Sequence, residues 1–283
     1  MEDDQKALEN YVKGGIDEVE GWFYGGDMIL FQLLASLQQK LGVGGDVCEL
    51  GVYKGKSLIL LSFLRSLEQK LFAFDLFPSD LLDQTQKNMQ KHCTSNRLQS
   101  IEYVVGKSTA HSSKSLSHYF KRKVRFLHID AGHEYHEILQ SMYAFAPHLS
   151  DWAIIAMDDY QDREFPGVEA AVHSFSQSRD PRRFVPFVSG QNKIYLCNEK
   201  VATVYQKKLL EIAELREKCR VSYIEDYFIL IAFSRLPIDA EKINVIIDGV
   251  GGDFTYPVDE DYLIKKANIF GQFSKLYNDE EPS

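Results

Sequence analysis

Short apolar runs alternate with longer segments of helical periodicity through the middle of the chain. The runs DVCEL, LFAFD, IEYVV, RFLHI and WAIIAM are rich in Val, Ile, Leu, Phe and Ala, which is typical of buried strands. Segments with apolar positions three or four residues apart separate them, as in amphipathic helices. The pattern therefore predicts five βα repeats. RFVPFVSG and NKIYLCN follow with very little between them, which predicts an antiparallel hairpin at the edge of the sheet.

Further elements are predicted on both sides of this central region. Residues 1–45 predict two helices separated by GWFYGGD, with Asp27 placed to cap the second helix. The aromatic cluster at 22–24 either packs the first helix onto the core or folds over a cleft as a lid. We expect an N-terminal helical extension at 1–45, a core domain at 46–198 and a C-terminal extension at 199–283. The C-terminal extension predicts a helix, the strands YFILIAFS and INVIID, and a last helix, which together would supply a lid or an oligomer surface.

Acidic residues end two consecutive strands of the predicted sheet. Asp130 closes RFLHID, and Asp158 with Asp159 closes WAIIAMDD. Parallel strands joined by one helix usually lie side by side, so we expect the three carboxylates to converge at the carboxyl edge of the sheet. An all-oxygen cluster of this kind suits a hard divalent ion such as Mg²⁺ or Ca²⁺. The alternative is that one or two of these acids cap the helices that follow.

A glycine turn follows the first strand and precedes a helix. Gly51 and Gly55 allow the backbone to approach a ligand closely, and Ser57 lies in the first turn of the helix, whose free amides attract polar groups. Asp75 ends the second strand about 20 residues later, where an acid can accept hydrogen bonds from ribose hydroxyls. Its alternative role is a helix cap. The turn matches neither the dinucleotide fingerprint nor the phosphate loop, so a nicotinamide dehydrogenase is a remote possibility.

Composition narrows the class of partner. The chain has 283 residues, a net charge of −9 and a pI near 5.4, which argues against broad binding to nucleic acid or to an anionic membrane and favours a small-molecule ligand. Four scattered cysteines without a CxxC pair predict free thiols in a reducing cytoplasm. The sequence shows neither a signal-peptide pattern nor a membrane-spanning apolar run. The apolar content of the two extensions favours a homo-oligomer.

Four segments of the chain carry a family resemblance. ELGVYKGKS, FDLF, HIDAGHEYHEILQSMYAFAPHLS and IAMDDYQDREFPGVEAAVHSF together resemble class I S-adenosylmethionine-dependent methyltransferases, specifically the metal-dependent macrocin O-methyltransferase type. The resemblance covers roughly residues 45–200. It implies an α/β fold with a Rossmann-like doubly wound sheet of seven strands, five of them parallel and two forming the antiparallel hairpin.

The resemblance also implies roles for individual residues. Asp75 would hold the ribose of S-adenosylmethionine, Mg²⁺ would be the metal, and His133 would accept a proton. The residues implied around the cofactor are Glu49, Gly51, Tyr53, Gly55, Ser57, Asp75, Lys107, Ser108 and Asp130. Those implied around the metal are Asp130, Asp158 and Asp159, and those implied in catalysis are His133 and Asp130. Relatives usually carry an acid in place of Lys107 and a glycine in place of Ala131.

These observations predict a metal-assisted O-methylation of a small-molecule hydroxyl with vicinal oxygens, as in a sugar, a catechol or another natural product. His133 is the base, a neighbour of the metal or a structural group. The alternatives are a metal-dependent hydrolase or lyase that uses the Asp/His cluster, and a non-catalytic S-adenosylmethionine-binding protein. N-methylation is also open. The loop at 160–164 either contacts the acceptor or is a polar surface loop.

Overall fold

The computed structural model describes residues 2–178, 183–224 and 226–232, and the fold consists of helices on both faces of one sheet. The helices are α1 (Glu2–Lys13), α2 (Gly25–Lys40), α3 (Lys56–Phe63), α4 (Leu81–His92), α5 (Ser95–Leu98), α6 (Ser113–Leu116), α7 (Tyr135–Phe145), α8 (Pro166–Ser176), α9 (Glu199–Leu210) and α10 (Ala213–Lys218). The strands are β1 (Asp46–Leu50), β2 (Leu71–Asp75), β3 (Ile101–Val105), β4 (Val124–Ile129), β5 (Leu149–Met157), β6 (Phe184–Ser189), β7 (Ile194–Asn198), β8 (Arg220–Ile224) and β9 (Tyr227–Ile231).

The strand order confirms the predicted doubly wound α/β fold. It is β3-β2-β1-β4-β5-β7-β6-β9-β8, with β1 to β5 parallel to one another. Strand β7 pairs antiparallel with both β5 and β6, so the predicted hairpin is also confirmed. The strand order reverses between β1 and β4, and the carboxyl ends of strands at such a point are where open α/β sheets bind their ligands.

The C-terminal extension enlarges this sheet. Strand β9 runs parallel to β6 with Val188 opposite Leu230, and β8 pairs antiparallel with β9. The seven predicted strands are therefore all present, and two more make nine among the described residues. YFILIAFS contains one of them, as expected, whereas the predicted strand INVIID and the last predicted helix lie outside the described residues.

The core consists of two apolar clusters, one on each face of the sheet. Val47 of β1 packs in the cluster that includes α2, α3 and α9. Its neighbours Cys48 and Leu50 pack in the cluster that includes α7 and α8, because successive side chains of a strand point to opposite faces. All five residues of β1 are buried, as expected of a parallel strand covered on both faces. Only the ends of this central strand are left for a ligand.

The N-terminal extension packs against the core, in a way that the sequence predicted only in part. Helix α2 begins at Gly25 with Tyr24 as its N-cap, so the prediction that Asp27 caps this helix is wrong. Asp27 lies inside the first turn and is fully buried. In the aromatic cluster, Phe23 packs edge-on against Phe31 of α2, whereas the side chain of Trp22 is 84% exposed. Packing onto the core thus holds for Phe23 alone.

The structure bears on the state of the cysteines and on the question of membrane-spanning helices. All four cysteines are buried and none of them forms a disulfide among the described residues, as their spacing predicted. Among the described residues, no helix is both long enough and apolar enough to cross a membrane.

Candidate active site at the carboxyl edge of the sheet

The glycine turn after β1 is held close to the end of β4. Gly51 has a φ of +82°, and its N–H donates to the carbonyl of Phe74 at 2.8 Å. A Cβ atom at this position would lie 1.9 Å from the carbonyl oxygen of Asp130. Gly55 has a φ of +88° and forms the N-cap of α3. Both glycines are therefore required by the backbone, which keeps the turn tight at the point where β1 and β4 end.

Asp75 organises this turn through its carboxylate. Its Oδ2 accepts the backbone N–H groups of Val52 at 2.7 Å and Tyr53 at 2.9 Å, and its Oδ1 accepts the N–H of Phe77 at 2.9 Å. The alternative role as a helix cap is wrong, because the N-cap of α4 is Asp80. A carboxylate has about four acceptor positions, so Asp75 keeps capacity for one more donor, and its contact with ribose stays a prediction.

A buried pair, Glu49 and His128, lies on the adjacent strands β1 and β4. Glu49 Oε1 accepts the hydroxyl of Ser57 at 2.5 Å and lies 2.7 Å from Nδ1 of His128. Oε2 of Glu49 and Nε2 of His128 have no hydrogen-bond partner among the described residues. An unpaired carboxylate oxygen in a buried position is costly, so this oxygen suits a donor from a bound molecule.

Lys107 and Ser108 follow β3 at the same edge of the sheet. The ammonium of Lys107 lies 3.4 Å from Oε1 of Glu137, and the hydroxyl of Ser108 lies 2.9 Å from that of Ser141. Both partners belong to α7, so the turn after β3 is tied to the helix that follows Asp130. The predicted contact of this turn with an adenine ring stays a prediction.

The structure brings Asp130, Asp158 and Asp159 to one place. The N–H of Asp130 donates to the carbonyl of Leu50, and that of Asp158 donates to the carbonyl of Ile129, so the ends of β1, β4 and β5 are joined. Asp130 and Asp158 form a close group with His128, and Asp130 and Asp159 form a second with His133. Within each group the ligand-type atoms lie within 4.8 Å of one another.

Lys193 enters this acidic cluster, which the sequence pattern does not predict. Its ammonium lies 2.5 Å from Oδ2 of Asp158, and its side chain is 1% exposed. Burial raises the pKa of Asp158, but the positive charge of Lys193, the charge of His128 and hydrogen bonds from Asp130 and Lys193 together outweigh burial and lower that pKa to about 2. Burial, and then the charge of Asp158, raise the pKa of Asp130 well above its ordinary value. Of the two carboxyls, Asp130 is therefore the one that retains a proton.

His133 and Asp159 form a partly exposed dyad. His133 Nε2 lies 3.0 Å from Oδ2 of Asp159, and its ring stacks on Phe165 with the centroids 3.9 Å apart. The hydrogen bond to Asp159 raises the pKa of His133 above its ordinary value. Asp159 has a φ of +54°, a strained conformation of the kind that often occurs at functional sites. Because Nε2 faces the carboxylate, Nδ1 is the nitrogen left to accept a proton from another molecule.

Asp27 fixes the turn that carries Lys193. Its Oδ1 accepts the hydroxyl of Tyr195 at 2.8 Å, and its Oδ2 accepts the backbone N–H groups of Gln191 at 3.1 Å and Asn192 at 3.0 Å. The side chain of Asn192 in turn donates to Oδ1 of Asp158 at 2.7 Å. Helix α2 thus supports the acidic cluster through the hairpin, a link between residues far apart in sequence.

We expect Asp27→Ala to lower the free energy of unfolding by about 3 kcal/mol, because three donors, two of them in fully buried hydrogen bonds, lose their acceptor. Urea denaturation would measure this loss. Asp3→Ala, at an exposed position on α1, is the control and should change stability by less than about 0.5 kcal/mol. Equal stability of the two variants would contradict a structural role for Asp27.

A small cavity of about 220 Å³ is lined in part by Tyr160, the residue that follows Asp159 in sequence. Strand β8 and the turn between β6 and β7 form two of its walls. The residues that line it include Tyr160, Gln161, Gln191, Asn192, Ser222 and Tyr223. Asn192 contacts both this cavity and Asp158, so a molecule bound here would lie next to the acidic cluster. The C-terminal extension therefore contributes to the surroundings of the candidate site.

Comparison with known families gives one match in sequence. Residues 48–160 match the family model described as "Methyltransferase domain". This range holds the glycine turn, Asp75, His133 and all three acids of the cluster. The match supports an enzyme that transfers methyl groups. No curated protein matches the chain significantly in sequence.

Comparison with solved structures gives distant matches to methyltransferases. One is a TDP-rhamnose 3′-O-methyltransferase of calicheamicin biosynthesis, with 19% identity, 60% of this chain and 78% of that chain covered, and a TM-score of 0.48. Another is an O-methyltransferase from Bacillus cereus in complex with S-adenosylhomocysteine. It has 15% identity and a TM-score of 0.49, and the match covers 68% of this chain and 89% of that chain. A third is an O-methyltransferase from Streptomyces achromogenes involved in tomaymycin synthesis, in complex with S-adenosylmethionine. It has 15% identity and a TM-score of 0.47, and the match covers 68% of this chain and 87% of that chain. These values are too low to carry over an activity.

Proposed function

We propose that the protein is an S-adenosylmethionine-dependent O-methyltransferase that acts on a small-molecule hydroxyl. The observation that carries this proposal is the His133–Asp159 dyad, which lies within the matched methyltransferase domain and at the same sheet edge as the glycine turn. A hydroxyl is a poor nucleophile until it loses its proton, and a histidine oriented by a carboxylate can accept that proton near neutral pH.

Several contacts fit the cofactor. Oε2 of Glu49 is buried and has no hydrogen-bond partner in the part of the chain that the structure describes, which suits the ammonium group of S-adenosylmethionine. Asp75 keeps acceptor capacity for a ribose hydroxyl, and the turn at Lys107 and Ser108 would face the adenine. When bound, the cofactor supplies an electrophilic methyl group on a positively charged sulfur. Gly51 would keep side-chain atoms out of the space between the turn and the end of β4.

The residues of this chain then have defined tasks in the transfer. His133 would accept the hydroxyl proton at Nδ1, while the acceptor oxygen would take the methyl group that the cofactor supplies and S-adenosylhomocysteine would be left. Asp159 stabilises the imidazolium that results, and Phe165 covers one face of the ring. The acceptor would occupy the cavity lined in part by Tyr160, where amide and hydroxyl groups mix with apolar side chains, as expected for a sugar-like or catechol-like compound.

Metal assistance was the finer prediction from the sequence, and the residues fit it only in part. An ion held by Asp130, His133 and Asp159, whose ligand-type atoms lie within 4.8 Å of one another, would lower the pKa of the acceptor hydroxyl, but it would have to break the contact of His133 with Asp159. Asp158, the remaining predicted ligand, is already bound to Lys193. The predicted set of three acids therefore does not fit a divalent ion, and no step above depends on one.

The ion pair between Asp158 and Lys193 also bears on the alternative functions. A metal-dependent hydrolase or lyase needs the acids free for its metal, and the ion pair of Asp158 with Lys193 disfavours this. A non-catalytic binding protein has no use for the His133–Asp159 dyad. The homo-oligomeric state and the cytoplasmic location stay predictions.

Calorimetric titration with S-adenosylhomocysteine tests the cofactor site. We expect Asp75→Ala to weaken binding at least about 100-fold, because the turn loses the acceptor of two amides and the ribose loses its partner. Asp83→Ala, at an exposed position on α4, is the matched control and should bind like the wild type. Failure of the wild type to bind S-adenosylhomocysteine or S-adenosylmethionine would overturn the proposed function.

A further inference from the structure

The register of the sheet sets Lys193 against the acidic cluster. Met157 at the end of β5 pairs with Ile194 at the start of β7, so the next residues along each strand, Asp158 and Lys193, face each other. Their side chains meet at 2.5 Å. The ion pair is thus built into the pairing of two central strands and does not depend on a flexible surface side chain.

The surroundings of Lys193 suit a permanent positive charge. Its side chain is 1% exposed, and its ammonium lies 5.4 Å from the centroid of the Phe23 ring, where a cation is attracted to the aromatic face. Asp27 adds a further negative charge nearby, and it also fixes the turn before Lys193. Two segments of the N-terminal extension thus hold the ammonium in place.

Asp158 has little capacity left for another cation. Its Oδ1 accepts the backbone N–H of Asp159 at 2.8 Å and the side-chain amide of Asn192 at 2.7 Å. Its Oδ2 accepts the ammonium of Lys193. A side-chain hydrogen bond with Asp130 adds to these three, so little acceptor capacity is left on Asp158. A divalent ion would have to displace Lys193 or lie close to it, and repulsion between the two cations opposes the second arrangement.

We propose that Lys193 is the resident cation of this site, in the place that a divalent metal ion was predicted to take. Resting on the proposed function, this means that the enzyme transfers the methyl group without a divalent ion. Lys193 acts as a positioning residue, since it fixes the carboxylate of Asp158 at the end of β5, directly before Asp159 of the dyad. Its charge also offsets the carboxylates that a metal would otherwise neutralise.

Binding of Mn²⁺ to the full-length protein tests this directly, because free Mn²⁺ gives an electron paramagnetic resonance signal that is lost on binding. We expect wild type purified without chelator to contain less than stoichiometric divalent metal by elemental analysis. It should also leave the Mn²⁺ signal unchanged at protein concentrations of about 100 μM. Lys193→Ala should gain Mn²⁺ affinity by at least about tenfold, because Asp130, Asp158 and Asp159 lose their cation.

Three further variants make the result specific. Lys193→Arg keeps the charge and should bind Mn²⁺ no better than wild type. Lys200→Ala, which removes an exposed lysine on α9, should also behave like wild type. Lys193→Ala combined with Asp158→Asn should lose the gained affinity. Circular dichroism would establish that each variant is folded, and Lys193→Met is the substitute if Lys193→Ala is not.

The outcomes separate this proposal from the proposed function. Two results would overturn the role of Lys193 even if every lysine variant fails to fold. One is stoichiometric metal in the purified wild type. The other is Mn²⁺ binding by the wild type that the single substitution Asp158→Asn abolishes. Unchanged Mn²⁺ affinity in folded Lys193→Ala would overturn it as well. Calorimetry with S-adenosylhomocysteine on the same samples, with and without EDTA, reports separately on the cofactor site. If that ligand does not bind, the proposed function fails whatever the Mn²⁺ titration shows.

Discussion

His133→Ala should lower kcat for methyl transfer by about 10²- to 10⁴-fold, the contribution expected of a general base. The loss should appear with an acceptor hydroxyl that the wild type methylates, measured as formation of S-adenosylhomocysteine. Affinity for S-adenosylhomocysteine should stay within about threefold of wild type, because His133 contacts Asp159 and Phe165 and not the glycine turn. Added imidazole should restore part of the rate, since it supplies the missing base.

The pH profile follows from the contact with Asp159. Only the neutral imidazole accepts a proton, so the rate falls as the pH decreases through the pKa of His133. Asp159 raises that pKa, and Asp159→Asn should therefore move the acidic limb of the profile to lower pH. The same substitution should lower the plateau rate, because a less basic imidazole is a weaker proton acceptor.

Two results would remove His133 from the role of base. One is a kcat in His133→Ala within threefold of wild type. The other is an acidic limb that stays at the same pH in Asp159→Asn. His136→Ala is the matched control, because this histidine lies on α7 and outside the dyad. A comparable loss in both variants would point to a general effect on α7 instead.

The sequence predicts the parts of this fold that depend on local pattern. The five parallel strands, the hairpin and the meeting of Asp130 with Asp158 all follow from apolar periodicity and from the rule that parallel strands end at one edge. The extra strands β8 and β9 were less predictable. Their place beside β6 depends on an edge that the hairpin leaves open, which local pattern does not reveal.

The contacts that the sequence did not predict are set by register and by long-range packing. Lys193 faces Asp158 only because β7 pairs with β5 in one register, and Asp27 reaches the hairpin only because α2 packs across it. A lysine at the start of the apolar run KIYLC was the available signal, since a buried lysine needs a partner. The sequence predicts that Asp75 is a site residue, but it does not show that the carboxylate already binds the glycine turn.

Gly51→Ala should abolish cofactor binding, because the added Cβ would lie 1.9 Å from the carbonyl oxygen of Asp130. The turn would have to move away from the end of β4, and a displacement of about 1 Å can cost about 100-fold in a positioned site. Alanine would also have to adopt the φ of +82°, which costs a further 1–2 kcal/mol or so. Calorimetry with S-adenosylhomocysteine and a thermal melt would measure both effects.

Gly42→Ala separates the effect of backbone strain from the effect of the steric clash with Asp130. Gly42 also has a positive φ, +69°, but a Cβ atom there would have no neighbour within 4 Å. This control should lose about 1–2 kcal/mol of stability from backbone strain alone and keep the affinity of the wild type. If Gly51→Ala loses no more affinity than Gly42→Ala, the close approach of the turn to Asp130 does not shape the cofactor site. A loss confined to Gly51→Ala would instead connect the backbone contact between β1 and β4 directly to cofactor binding.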